Sequence, residues 1–206
     1  MKKFLFSLIT VLLMVGMVTG ATTAYFSDTE TSTGNTFATG TLDLNLDGSN
    51  SNIVKFTVPN MKPEDSQTGT WRVNNVGSMA GYLDLQNITQ THSAGTTTES
   101  ELAVENPDVG TLGSLLNVNL FVDVNNNGVL DAGETTIYSG LIGSMATDYN
   151  QNLSLVAGAT NYITMIVSWP SSANDNKGQG DTVQLDIIFE LGQTAGQWGI
   201  VLVEIW

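Results

Sequence analysis

Cysteine is absent from this 206-residue chain. That excludes disulfide bonds, thiolate metal sites and cysteine nucleophiles. Histidine occurs once, as His92 in Thr91-His92-Ser93, and no HExxH pattern is present. Zinc hydrolases generally need two or three nitrogen ligands, so a zinc peptidase of the usual kind has too few. No serine sits in a nucleophile motif. Basic residues are also scarce, 6 against 20 acidic ones, for a formal net charge of −14. Nucleic acid and anionic membrane surfaces repel such a chain, whereas divalent cations are drawn to it. No Gly-rich phosphate loop and no basic patch appear. An exported protein without disulfides must be held by its core, by ions or by its neighbours.

What is there begins with a leader. Lys2 and Lys3 precede Phe4 to Val18, a largely apolar run too short to be read first as a spanning helix. Signal peptidase needs small residues at −1 and −3. Cleavage between Ala24 and Tyr25, with Thr22 at −3, meets that need; cleavage after Ala21, with Thr19 at −3, is an alternative. An uncleaved amino-terminal anchor is the other reading. No second stretch is long enough to span a membrane. The domain reading is therefore a signal peptide over 1–24, an amino-terminal arm over 25–35 and one domain over 36–206. Secretion is expected, and no stable membrane span is expected to remain after processing.

Gly, Thr, Ser and Asn are abundant, which favours β-structure with polar turns. Apolar residues alternate with period two at Leu42, Leu44 and Leu46, at Val54, Phe56 and Val58, and at Trp71 and Val73. Tyr82 to Leu85 marks another strand. The clearest alternation is Leu116, Val118, Leu120 and Val122. Ile137 to Ile142 follows, then the near-continuous run Tyr162 to Trp169, then Val183, Leu185, Ile187 and Phe189. Ile200 to Trp206 can form a last strand. Asp47-Gly48, Lys62-Pro63, Asn127-Gly128 and Ser171 to Gly180 read as turns. Thr91 to Ser100 reads as an exposed polar loop, and Thr98 to Asn106 as a short helix or turn. Eight to ten strands without a helical period predict an all-β, jelly-roll sandwich. Trp71, Trp169 and Trp206 are expected in the core or at an interface, and Trp198 exposed.

One motif carries ligand chemistry. Asp123 to Glu134 fits D-x-[DN]-x-[DN]-G-x5-E at every specified position. Asp123, Asn125 and Asn127 occupy positions 1, 3 and 5, and Gly128 supplies the sharp turn. The Val129 carbonyl is the fourth ligand, Asp131 binds through water, and Glu134 binds with both oxygens. Oxygen donors in a flexible loop favour Ca²⁺. Strands flank the loop instead of helices, so the expectation is a structural ion that stiffens a hairpin. The alternative is a polar Asn-Gly hairpin without an ion. Two sequons, at Asn87 and Asn152, are candidate glycosylation sites.

A resemblance joins several of these segments. Ala24-Tyr25-Phe26-Ser27-Asp28 followed by Phe37 to Leu44 resembles the start of TasA and camelysin proteins, and the archaeal bundling pilins look similar. Asn60 to Asp65 is similar to that family's N-x-K-P-G-D turn, with Glu64 in place of the usual glycine. Asn74 to Ala80 resembles its N-N-x-G-S-x-A segment, and Val183 to Glu190 its closing core strand. Gln197 to Trp206 has no counterpart.

The resemblance implies a jelly-roll subunit of extracellular fibres or pili that scaffold biofilm, processed by a SipW-type signal peptidase. It also implies a head-to-tail homopolymer, in which the freed amino-terminal strand enters the next subunit. The donor would be Tyr25, Phe26, Ser27, Asp28, Thr29, Glu30, Thr31, Ser32 and Thr33. Physical reasoning points the same way: a sandwich lacking one strand exposes unpaired backbone and an apolar groove, which a neighbour's strand satisfies. Such a contact is heterologous and propagates as a filament. Two other readings stand beside the expected non-enzymatic fibre subunit. One is a calcium-dependent surface adhesin, the other a camelysin-like protease.

Overall fold

Alternating apolar side chains need a second apolar surface, and here two antiparallel sheets provide it for each other. The computed structural model describes residues 39–50 and 61–196. These belong to the second of two compact units, Met1–Ala38 and Thr39–Trp206. The leader, the Ala24–Tyr25 cleavage site, the donor strand Tyr25 to Thr33, the strand at Val54 to Val58, and the tail with Trp198 and Trp206 lie outside the described residues.

Eight strands are described: β1 (Leu44–Leu46), β2 (Ser66–Asn75), β3 (Gly81–Ser93), β4 (Asn117–Val122), β5 (Thr136–Leu141), β6 (Tyr149–Leu155), β7 (Thr160–Ser168) and β8 (Thr182–Gly192). One sheet has the order β1-β2-β7-β4-β5 and the other β6-β3-β8. Most connections cross from one sheet to the other, as in Greek-key and jelly-roll sandwiches. The expected all-β sandwich is thus observed.

The core lies between the sheets. Val73, Val118, Leu120 and Ile163 of the larger sheet and Leu83, Leu85 and Phe189 of the smaller are all buried in one cluster. The Trp71 and Phe189 rings meet across it, with centroids 5.5 Å apart. Trp71 and Trp169 are both buried, as their strands predicted. Leu116, Val118 and Leu120 are buried and Val122 is partly so, which matches the alternation in β4.

Two local features differ from the sequence reading. The segment Tyr149–Leu155 forms β6, although its Asn, Gln and Ser residues carry no strand signal. Among the described residues it is an edge strand paired only with β3, and it buries Leu155 fully, so little of it needs to be apolar. Thr91, His92 and Ser93 are not loop but the end of β3, paired with Gln184, Val183 and Thr182 of β8. The ladder of β8 carries them along, whatever their own preferences. As expected for Thr98 to Asn106, a single helical turn forms there, α1 (Glu99–Leu102).

The Asn74 to Ala80 segment is a clamp. The buried Asn75 donates through Nδ2 to the carbonyls of Met79 (2.7 Å) and Leu155 (3.0 Å), and its Oδ1 accepts the Gly77 N–H at 3.0 Å. The N–H groups of Ser78 and Met79 then hold the Thr41 carbonyl, at 2.9 and 3.1 Å. A Cβ on Gly77 would stand 2.3 Å from that carbonyl oxygen, so only glycine allows the approach.

Candidate metal-binding hairpin

The β4–β5 connection starts where β4 leaves the sheet. Val122 N–H reaches the Thr135 carbonyl at 2.9 Å, and Asp123 N–H reaches Tyr162 of β7 at 2.9 Å. Asp123 therefore sits at a fixed end of a central strand pair and is fully buried. Its Oδ2 accepts the Thr164 hydroxyl (2.8 Å) and the Gly128 N–H (2.9 Å); its Oδ1 accepts the Asn127 N–H (3.0 Å). Thr164 in turn accepts from Thr70 of β2 at 2.7 Å, since its own proton goes to Asp123. A buried carboxylate needs such donors, and β7 together with the loop itself supplies three of them.

Beyond Asp123 the chain coils. Asn125 Oδ1 accepts the Asn127 N–H at 3.1 Å, and Asn127 Oδ1 accepts the Val129 N–H at 2.8 Å. Asn126 and Gly128 take left-handed φ values of 55° and 75°. Gly128 is needed for that φ and not for space, since a Cβ would meet nothing closer than Thr68 Cγ2 at 3.6 Å. The far end of the loop folds back onto the coil. Asp131 Oδ2 takes both the Asn125 and Asn127 amide groups, each at 2.8 Å. Glu134 spans the loop, its Oε1 accepting Val124 N–H (2.8 Å) and its Oε2 Asp131 N–H (2.9 Å). All five predicted side-chain positions are thus brought into one hydrogen-bonded unit, and Val129 lies on the coil between them.

This arrangement fits a hard divalent cation. Each Asn and Asp oxygen that takes one N–H keeps a second lone pair for a ligand role. Asp123, Asn125, Asn127, Asp131 and Glu134, with the Val129 carbonyl, would supply oxygen donors only, the chemistry of Ca²⁺ rather than Zn²⁺. Thr164 was not singled out in the sequence. Its signal was faint: a hydroxyl within the apolar run Tyr162 to Trp169.

The remaining candidates are scattered. Asn87 is exposed in the irregularity between Gln86 and Thr89, with φ 47°, and its N–H reaches Asp148 Oδ1 at 3.0 Å. Asn152 is half-buried, and its Oδ1 accepts the Gly196 N–H at 2.6 Å. His92 is exposed on β3 with its ring against Gly113, whose Cβ, if added, would lie 2.1 Å from His92 Cε1. Among the described residues, the carboxylates that crowd together are Glu101, Asp108 and Asp181, which no motif had flagged.

The sequence profile of the camelysin metallo-endopeptidase family matches residues 1–198. The chain belongs to that family. The resemblance to TasA and camelysin is borne out at this level. No curated protein matches the chain. The family's description names a metallo-endopeptidase, an activity for which a catalytic zinc sets definite ligand requirements. Such centres are built from three protein ligands that include at least two His or Cys side chains. With one histidine and no cysteine, this camelysin-family chain does not fit, and no hydrolytic step follows from its residues. No helix among the described residues is long and apolar enough to cross a membrane.

Proposed function

We propose that this camelysin-family protein is a secreted structural subunit of extracellular fibres that scaffold biofilm. It polymerises by donating its amino-terminal strand, Tyr25 to Thr33, to the next subunit. The observation that carries the reading is the inequality of the two sheets, five strands against three. Among the described residues the outer edge of β8 pairs with no strand along its 11 residues. Val183, Leu185 and Ile187 of that strand are only partly buried against the core. An added strand would pair that backbone and cover those side chains. Val124 and Val129 on the hairpin, 75% and 55% exposed, add apolar surface that a neighbour would cover. A SipW-type signal peptidase would release the donor end at Tyr25, with Ca²⁺ stiffening the Asp123 to Glu134 hairpin and glycans on Asn87 and Asn152 decorating the surface.

Negative-stain microscopy tests it on two chains, one beginning at Tyr25 and one lacking Tyr25 to Thr33. Fibres are expected from the first only. Fibres from neither sink the filament reading, and fibres from both remove the donor strand from it.

The family's description favours a second reading, a peptidase. Casein hydrolysis that disappears both with a chelator and in His92→Ala would establish it. On the fibre reading neither treatment changes the blank rate.

A further inference from the structure

The carboxylates of Glu101, Asp108 and Asp181 each place an oxygen within 4.8 Å of the others. They come from three segments. Glu101 is in α1, Asp108 is in the loop that follows, and Asp181 immediately precedes β8. Local structure accounts for part of their bonding. Thr98 caps α1: its hydroxyl accepts the Glu101 N–H at 3.2 Å, and Glu101 Oε2 accepts the Thr98 N–H at 3.3 Å. Asp181 Oδ2 accepts the Leu112 N–H at 3.0 Å. Asp108 accepts from the Thr97 hydroxyl (2.9 Å) and the Gly110 N–H (3.3 Å).

The second oxygens of two of these groups are not accounted for. Glu101 has no solvent-exposed surface and Asp181 is 9% exposed, yet Glu101 Oε1 and Asp181 Oδ1 are buried with no hydrogen-bond partner. A buried carboxylate oxygen without a donor costs heavily, and such groups in native proteins have a reason. The charges acting on Glu101 make matters worse. Burial raises its pKa most, the Thr98 N–H lowers it, and Asp108, Asp181 and Glu105 raise it further. Asp181 is raised too, first by burial; the Leu112 and Thr111 N–H groups lower it, and Asp108 and Glu105 raise it further.

We propose that Glu101, Asp108 and Asp181 form a second calcium site, separate from the hairpin, that fastens α1 and its loop to the start of β8. The unpartnered Glu101 Oε1 and Asp181 Oδ1 are its buried ligands, and Asp108 closes it from the solvent side. Opposite oxygen ligands of Ca²⁺, at about 2.3–2.6 Å from the ion, stand up to about 5 Å apart, and those of Mg²⁺ up to about 4.2 Å. Oxygens that all lie within 4.8 Å of one another can therefore reach a single Ca²⁺. The backbone beside the site is already locked: a Cβ on Gly95 would stand 1.9 Å from the Gly180 carbonyl oxygen, and one on Gly180 would stand 2.1 Å from that of Thr96. An ion here joins segments that pack backbone to backbone, and it does so whether or not the chain forms fibres.

The test is calcium binding to the metal-stripped full chain by equilibrium dialysis, with CaCl2 as probe and MgCl2 as control. Glu134→Gln disables the hairpin and is expected to leave one Ca²⁺ per chain. Adding Asp108→Asn to that chain is expected to weaken this ion's binding at least tenfold. Asp108 is half-buried, so the fold should persist; circular dichroism in EDTA checks that. Glu101→Gln, which keeps the side-chain shape, should give the same loss. No bound ion in Glu134→Gln, or an ion that survives both Asp108→Asn and Glu101→Gln, overturns the proposal. Mg²⁺ binding as tight as Ca²⁺ overturns the choice of metal.

Discussion

Glu64 is the residue at which this chain departs from its family's turn, and its backbone shows what the usual glycine is for. Its φ is 74°, in the left-handed region, where an L side chain is strained by about 1–2 kcal/mol. The turn is held in that shape from both ends. Glu64 N–H reaches the Trp169 carbonyl at 2.7 Å, and Asp65 N–H reaches that of Lys62 at 3.0 Å. Glu64 is exposed, so its side chain has little packing to lose. Glu64→Gly is therefore expected to raise stability by about 0.5–1 kcal/mol, once the greater freedom of glycine in the unfolded chain is offset. Urea unfolding should show a higher midpoint at unchanged slope. An unchanged or lower midpoint would mean that the strain is not there. At the same scale, Asn75 and Gly77 show why Asn74 to Ala80 can be recognised in a sequence. Each residue serves a backbone contact that no other side chain reproduces.

At the scale of elements, the β4–β5 hairpin draws the motif's five side chains into one hydrogen-bonded loop. Its twelve-residue spacing was legible because each ligand position needs a particular residue type. The spacing did not reveal that Asp123 is buried and tied to β7 through Thr164. That tie links the loop to the central sheet, so an ion bound there should stabilise more than the loop. Calcium at about 100 times its dissociation constant is expected to add about 2.7 kcal/mol. For a domain of this size that corresponds to a melting shift of about 5–10 °C. Glu134→Gln should abolish the hairpin's part of the shift. Scanning calorimetry with and without EDTA reads it. An equal shift in the variant removes the ion from the hairpin. The opposite case is β6, which the sequence concealed. Edge strands depend on a neighbour's ladder more than on their own apolar content, so Tyr149–Leu155 becomes a strand because β3 is beside it.

At the scale of the molecule, the alternation in β4 and β8 and the near-continuous apolar run of β7 were enough to establish an all-β sandwich and most of its core. Apolar side chains every second residue leave few other ways to bury a face. Family membership, too, was legible in short segments near the amino terminus and around Asn74 to Ala80. The partition of strands into five and three was not legible. Pairing partners are chosen by packing among segments far apart in sequence, which no single segment encodes. The fibre reading depends on that partition, because among the described residues it leaves the long strand β8 at an edge of the smaller sheet.

The sequence by itself carried the leader from which export is expected, most of the strand-forming segments and the twelve-residue motif from which calcium is expected, since each is a local pattern with a local physical cause. Only the tertiary structure decided which of the described strands lie at sheet edges, and that Glu101, Asp108 and Asp181 meet. The reason is the same for both. An edge and a carboxylate cluster are defined by what lies across a gap in space, and the chain crosses from sheet to sheet before it fills that gap.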